Sequence, residues 1–120
     1  MITTGIEAMS FYTPHRYLGL ETLAAHHGID PEKFSKGIGQ EKIALPGHDE
    51  DIVTMGAEAA QPIIERYGKE NIDTLLFATE TGIDQSKSAG IYVHRLLGLS
   101  ANCRNVELKQ ACYSATPALQ

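Results

Sequence analysis

One stretch of the sequence indicates the fold most clearly: Val106-Glu107-Leu108-Lys109-Gln110-Ala111-Cys112-Tyr113-Ser114-Ala115-Thr116-Pro117. Its first four residues alternate apolar and charged side chains, which predicts a strand. Pro117 favours the first turn of a helix, where its missing N–H costs nothing. Cys112 therefore lies where a strand ends and a helix begins. Free backbone N–H groups and the positive end of a helix dipole favour a thiolate at such a place.

Two interpretations of Cys112 follow from its position alone. It is either the nucleophile of an enzyme or a small buried apolar side chain, as many cysteines are. The second cysteine, Cys103, falls near the start of the predicted strand. The pair forms neither a C-x-x-C motif nor a metal-ligand spacing. We therefore expect no metal site, and reduced thiols in the cytoplasm.

The composition is that of an ordinary globular protein. The chain has 120 residues, of which 42% are hydrophobic and 21% charged, with a net charge of −5. No apolar run approaches the roughly 20 residues of a membrane helix, and the first residues lack the pattern of a secretory signal. The basic residues are scattered, which argues against a nucleic-acid surface. We expect a cytoplasmic protein with neither membrane nor nucleic acid as its partner.

Hydrophobic periodicity predicts an α/β fold with right-handed βαβ units. Residues 2–11 are predicted to form a first strand, and an insertion with two short helices follows. One insertion helix ends at Gly28, and the other begins at residues 30–32 and ends in the loop 37–40. Next come a helix over residues 52–67, continuous but bent at Pro62, and a strand over 73–79 that is buried on both faces. A helix over 86–97 and a strand over 104–109 complete the pattern.

Glu80 is a candidate catalytic residue because it directly follows the predicted strand 73–79. Parallel strands joined by one crossover helix end at the same edge of the sheet, where ligands of open α/β sheets bind. Glu80 follows one strand end and Cys112 the other, as nucleophilic and general acid/base chemistry would need. The alternative is that Glu80 is a solvated loop carboxylate. Asp84 is better explained as a helix cap than as a second acid.

None of the five histidines falls at the end of a predicted strand. Four of them are expected to be solvated, namely His15, His26, His27 and His48. His94 lies beside the inward face of a helix and is expected to be a packed or rim histidine. A histidine needed for the chemistry would therefore come after residue 120.

The chain resembles the 3-hydroxy-3-methylglutaryl-CoA (HMG-CoA) synthases, a branch of the thiolase-fold condensing enzymes. Four segments carry this resemblance: residues 79–88 (TETGIDQSKS), 107–113 (ELKQACY), 36–40 (KGIGQ) and 5–7 (GIE). It implies two similar halves packed as a five-layer αβαβα sandwich, usually in a homodimer. Residues 1–120 would then be the amino-terminal part of a thiolase-like domain, with the rest of the first half and the second half beyond residue 120.

The resemblance also implies a reaction. Cys112 would take an acetyl group from a thioester, either acetyl-CoA or an acetylated acyl carrier protein (ACP), with no cofactor. Glu80 would remove a proton from the acetyl methyl, and the carbanion would attack the β-ketone of an acetoacetyl thioester. Hydrolysis would release an HMG-type thioester. The catalytic histidine and asparagine of the family come after residue 120, so the segment alone is expected to be inactive.

The residues after Cys112-Tyr113 distinguish two groups of relatives within this family. Many mevalonate-pathway members have only small residues there, whereas Ser114-Ala115-Thr116-Pro117 looks more like the members that install β-branches on carrier-bound polyketides. HMG-CoA synthesis from acetoacetyl-CoA is the first alternative. An initiating ketoacyl-ACP synthase is the second, although that class usually lacks a glutamate matching Glu80. A non-catalytic carrier-protein-binding fragment is the alternative from another class.

Overall fold

The chain alternates short strands and helices, as its periodicity predicts. The computed structural model describes residues 4–120, which fall into a larger unit (residues up to Tyr12 with Ile52–Gln120) and a smaller unit (Thr13–Asp51). In chain order the elements are β1 (Arg16–Gly19), α1 (Leu20–His27), a π-helix (Lys33–Ile38), β2 (Lys42–Leu45), α2 (Ile52–Tyr67), β3 (Thr74–Ala78), α3 (Ala89–Leu96), β4 (Arg104–Leu108) and α4 (Ala115–Leu119).

The smaller unit contains a strand pair that the sequence pattern does not reveal. β1 and β2 pair antiparallel, with Arg16 opposite Leu45 and Gly19 opposite Lys42. The predicted helix α1 is confirmed and ends at Gly28, whose φ of 63° suits glycine. The predicted second helix is a single π-helical segment, which ends at Gly39 with φ of 68°.

The larger unit is built on the parallel pair β3 and β4. Thr74 lies opposite Arg104 and Ala78 opposite Leu108. The ladder continues one step further, because the Thr79 N–H donates to the Leu108 carbonyl at 3.1 Å. Helix α3 connects the two strands, so their carboxyl ends meet at one edge of the sheet, as predicted.

The core of the larger unit lies on one face of this sheet. Its buried side chains are Val53, Ala89, Val93, Leu97, Leu99 and Cys103. Leu75 and Phe77 of β3 pack against them. The prediction that β3 is buried on both faces is wrong for this chain. Leu76, which points to the other face, is 41% exposed, because α2 and α3 pack on the Leu75 face.

Helix α3 departs from prediction at both ends. It begins at Ala89 rather than at residue 86, because Ser88 is the N-cap and its hydroxyl accepts the Gly90 N–H at 3.1 Å. Leu96, its last residue, is 59% exposed. Leu97 and Leu99, just beyond the last helical residue, fill the core there instead.

Helix α2 is continuous through the exposed Pro62 and is followed by Gly68, whose φ is 77°.

The prediction of a first strand is wrong for the described residues 4–11, where no strand forms; residues 2 and 3 lie outside the described range. A strand needs a backbone partner, and the described sheet of this unit contains only β3 and β4. The segment instead contacts α2, where the Ser10 hydroxyl donates to the Ala59 carbonyl. Within residues 4–120, no helix is both long and apolar enough to cross a bilayer.

Gly90→Ala should destabilise the fold, although alanine favours helices more than glycine does. A Cβ at this position would lie 2.7 Å from Nδ2 of Asn105 and 3.0 Å from Cβ of Phe77. We expect the free energy of unfolding in urea to fall by about 1–3 kcal/mol, the usual cost of overpacking. Gly37→Ala is the control, since the added Cβ would lie in open space. An unchanged or higher value for Gly90→Ala would contradict the close approach of α3 to the sheet.

Candidate active site

The carboxyl ends of β3 and β4 bring together the two residues singled out in the sequence. Glu80 follows β3 by two positions, and Cys112 lies in the turn after β4. The Cys112 thiol donates a hydrogen bond to the Glu80 carboxylate, with 2.9 Å between Sγ and Oε1. Both side chains lie in exposed residues at this edge. The edge therefore presents a thiol and a carboxylate within hydrogen-bonding distance of each other.

A tight turn presents Cys112 to solvent. The Tyr113 N–H donates to the Gln110 carbonyl, and the Ser114 N–H donates to the Ala111 carbonyl, both at 3.1 Å. Ala111 has a φ of 49°, a left-handed conformation that no other non-glycine residue among those described adopts. Such a conformation costs an L-residue about 1–2 kcal/mol. The predicted junction is confirmed, because α4 begins at Ala115, shortly after Cys112.

The electrostatics of Cys112 differ from the expectation of a stabilised thiolate. The hydrogen bond to Glu80 and then the negative charge of that carboxylate raise the pKa of the Cys112 thiol. The backbone N–H of Cys112 acts in the opposite direction, but more weakly. The expectation fails because it counted the helix end and not the carboxylate 2.9 Å away. Cys112 is therefore a protonated donor, and it needs a base to become a nucleophile.

The loop that carries Glu80 is held by short-range hydrogen bonds. The Thr79 hydroxyl donates to the Thr81 carbonyl at 3.0 Å and accepts the Thr81 N–H at 3.2 Å. Further along, Asp84 closes a turn rather than capping α3, which corrects the prediction for that residue. Its carboxylate accepts the backbone N–H groups of Lys87 and Ser86, and these two bonds lower its pKa.

The polar residues of β4 have a structural role that the sequence pattern does not show. Glu107 accepts the backbone N–H of Ala89 at 2.5 Å, and Asn105 accepts the Ser88 hydroxyl at 2.8 Å. Both side chains therefore hold the start of α3. Among the described residues, the buried Asn105 Nδ2 lacks a hydrogen-bond partner. The available signal was the spacing of two polar residues on one face of the strand.

Ser114 joins the two loops. Its side chain is 3% exposed, and its hydroxyl accepts the Gln110 N–H at 2.6 Å. The same hydroxyl donates to the Thr79 carbonyl at 3.1 Å. The sequence drew attention to Ser114 only as a difference between relatives.

The five histidines have the exposures that the sequence predicts. Nε2 of His94 donates to the Ser100 carbonyl at 2.9 Å, and His94 is half-buried, as expected of a rim histidine. The other four are exposed, as predicted: His15, His26, His27 and His48. In residues 4–120, no three histidine, cysteine or acidic side chains are grouped so as to hold a metal ion.

Comparison with known proteins defines the family to which this fold and this thiol–carboxylate edge belong. Residues 2–120 match the family model "Hydroxymethylglutaryl-coenzyme A synthase N terminal". The chain belongs to the hydroxymethylglutaryl-CoA synthase family, as the resemblance implied.

Two curated relatives are equally similar to the chain. One is a hydroxymethylglutaryl-CoA synthase of Enterococcus faecalis, 43% identical over 119 residues, which cover 99% of this chain and 31% of the relative. The other is the polyketide biosynthesis 3-hydroxy-3-methylglutaryl-ACP synthase PksG of Bacillus subtilis, 43% identical over 124 residues, which cover 100% of this chain and 29% of the relative. The chain thus spans about three-tenths of the length of each.

Solved structures give the same result. The HMG synthase of the curacin biosynthetic pathway in complex with acetyl donor-ACP superposes with a TM-score of 0.88 at 40% identity, covering 97% of this chain and 29% of that one. An HMG-CoA synthase complexed with CoA superposes with a TM-score of 0.88 at 42% identity, covering 96% and 30%. The predicted fold class, an α/β amino-terminal part of a thiolase-like layered fold, is confirmed.

Glu80→Gln should lower the pKa of the Cys112 thiol, because it removes the carboxylate charge that raises that pKa. At any pH below the thiol pKa, the variant should then contain more thiolate and react faster with iodoacetamide. Peptide mass spectrometry across a pH series separates Cys112 from the buried Cys103. Glu58→Gln, which removes an exposed charge on α2, is the control and should keep the parent profile. A Glu80→Gln profile that matches the parent would contradict the contact.

Proposed function

We propose that this chain supplies the acyl-accepting cysteine and the general acid/base of an HMG-thioester synthase. Cys112 carries the acetyl group, and Glu80 removes a proton from its methyl. The observation that carries the proposal is the 2.9 Å contact between the Cys112 sulfur and a Glu80 carboxylate oxygen. Membership of the HMG-CoA synthase family supports the reaction class.

The contact suits the first step, acetyl transfer. Cys112 is a thiol with a raised pKa, so its proton must leave as sulfur attacks the carbonyl carbon of the donor thioester. The Glu80 carboxylate already accepts that hydrogen bond and lies within the range of a general base. The C–S bond of the donor then breaks, and the departing thiolate takes up a proton. Acetyl-Cys112 and a free donor thiol result.

The same contact suits the carbon–carbon bond-forming step. The methyl of acetyl-Cys112 is attached to the carbonyl carbon that sulfur holds, so a carboxylate touching that sulfur lies near the methyl protons. Glu80 takes one of them, and the resulting enolate attacks the ketone carbon of an acetoacetyl-type thioester. The new alkoxide takes up a proton. Water then cleaves the Cys112 thioester, which frees the thiol and an HMG-type thioester.

We propose an acyl carrier protein as the holder of the acetoacetyl group, in polyketide β-branching. Ser114-Ala115-Thr116-Pro117 supports this choice, together with the 43% identity to PksG and the likeness to a synthase solved with its donor-ACP. The equally similar Enterococcus relative and the CoA complex keep a mevalonate-type synthase acting on acetoacetyl-CoA as the second candidate. Neither an initiating ketoacyl-ACP synthase nor a non-catalytic fragment is favoured by relatives of this kind.

The remaining features follow the family. We propose a cytoplasmic homodimer that uses acetyl-CoA or acetyl-ACP as substrate and no cofactor. Residues 1–120 would form the amino-terminal part of a thiolase-like domain, which the family model and the coverage of about three-tenths of each relative support. The catalytic histidine and asparagine would lie beyond residue 120, and residues 1–120 alone would be inactive.

Cys112→Ser should abolish acetyl loading of the full-length protein, because a serine hydroxyl does not form the thiolate nucleophile. Intact mass after incubation with an acetyl donor reports the loading. Cys103→Ala is the control and should still gain one acetyl group, since Cys103 is buried before β4, at the opposite end of that strand. Labelling that survives in Cys112→Ser and vanishes in Cys103→Ala would overturn the assignment.

Glu80→Gln should separate the two steps in the full-length protein. The amide keeps the shape of the side chain but cannot take up the methyl proton, so condensation should fall by roughly 10² to 10⁴-fold. Acetyl-Cys112 should still form without Glu80 as the base, because removing the carboxylate charge lowers the thiol pKa and leaves more thiolate to attack the donor. Acetoacetyl-ACP and acetoacetyl-CoA offered in parallel identify the preferred carrier. A condensation rate close to that of the parent would show that Glu80 is only a loop carboxylate.

A further inference from the structure

One buried hydroxyl connects the loop of the thiol to the loop of the carboxylate. Ser114 Oγ accepts the Gln110 N–H at 2.6 Å, which closes a short loop with Cys112 inside it. The same oxygen donates to the Thr79 carbonyl at 3.1 Å, and Thr79 directly precedes Glu80. Ser114 is a polar residue, yet it is buried, with only 3% of its surface exposed. The Ser114 hydroxyl is therefore largely shielded from water, although its partners Gln110 and Thr79 are not fully buried.

The Cys112 and Glu80 side chains lie beyond the paired part of the two strands. Each is in an exposed residue, and each lies in a loop beyond the last residue of its strand. The direct strand-to-strand bonding ends with the Thr79 N–H on the Leu108 carbonyl. Beyond that point, the Ser114 hydroxyl ties the backbone of one loop to the backbone of the other.

We propose that Ser114 is a positioning residue that holds the Cys112 thiol in contact with the Glu80 carboxylate. The inference rests on the proposed function, since it concerns the same pair of residues. Ser114 touches neither the sulfur nor the carboxylate through a hydrogen bond. It acts through the backbone of Gln110 on one side and of Thr79 on the other.

A structural comparison within the chain makes the proposal testable. Ser88 is a partly buried serine whose hydroxyl likewise makes two hydrogen bonds, to the Asn105 side chain at 2.8 Å and from the Gly90 N–H at 3.1 Å. Those bonds hold the start of α3 and not the loops of the site. Ser88→Ala therefore removes a hydroxyl of similar bonding from the same unit, with only a structural consequence expected.

The test measures the pH profile of Cys112 alkylation by iodoacetamide in the intact protein. Ser114→Ala should lower the apparent pKa of the thiol, as Glu80→Gln does, because the carboxylate is no longer held against the sulfur. Ser114→Thr keeps the hydroxyl and should retain the parent profile. Ser114→Gly removes the same hydroxyl, should give the profile expected of Ser114→Ala, and serves in its place if the alanine variant does not fold. In the Glu80→Gln background, Ser114→Ala should produce no further shift.

Condensation gives a second readout. Ser114→Ala should lower it by about 10 to 10²-fold, the scale of a displaced catalytic group, with acetyl loading retained and activity restored in Ser114→Thr. Ser88→Ala should lower the melting temperature and leave the thiol profile unchanged.

Three results would overturn the proposal. The first is a Ser114→Ala profile equal to that of the parent while Glu80→Gln shifts it, since Ser114 would then be structural only. The second is a shift in Ser88→Ala as large as that in Ser114→Ala, since general loosening would then explain both. The third is no shift in Glu80→Gln, since there would be no contact for Ser114 to hold. The proposed function itself fails separately, if Glu80→Gln condenses at the parent rate.

Discussion

The parallel register of β3 and β4 is the constraint on which the site depends. The pairing runs from Thr74 opposite Arg104 to Ala78 opposite Leu108. Because the two strands end at paired residues, the loop with Glu80 and the turn with Cys112 begin side by side. A slip of one residue would move one loop by about 3.3 Å and turn every side chain of the strand to the other face. A thiol–carboxylate contact of 2.9 Å would not survive it.

Several contacts hold this register. Phe77 of β3 fits against α2 and α3 on the core face, where Gly90 leaves room for the strand. From β4, Glu107 and Asn105 bind the start of α3, so the crossover helix is attached to the strand that it precedes. Ser114 then extends the connection into the loops. The core, the helix start and the site are thus held by neighbouring contacts on the same pair of strands.

The sequence predicts the parts of this arrangement that depend on local pattern and topology. Residues 104–109 alternate, residues 73–79 form an apolar run, and one helix lies between them, so the meeting of Glu80 and Cys112 follows from the edge rule for parallel sheets. Strand β2 could not be found in this way, because it has only four residues, Lys42–Leu45, and they do not alternate between apolar and polar side chains. Its existence depends on pairing with the distant β1.

The errors elsewhere have similar causes. An apolar run shows that both faces of β3 tolerate burial, but not that both are covered, and Leu76 is exposed. The thiolate expectation used only what is near Cys112 in sequence, whereas the group that raises its pKa, Glu80, is 32 positions away. The partner of Ser114, Thr79, is 35 positions away. Local pattern identifies the chemical groups, and non-local contacts decide their charge and position.

Glu80 is proposed to be the base that acts on the methyl of acetyl-Cys112. The test loads the full-length protein with an acetyl group in D₂O, without the acetoacetyl substrate. The mass of the acetyl-Cys112 peptide is then measured by mass spectrometry. This role of Glu80 predicts that the acetyl methyl acquires deuterium in the parent protein and does not in Glu80→Gln, although both carry the acetyl group. Equal deuterium uptake in the two proteins would contradict it.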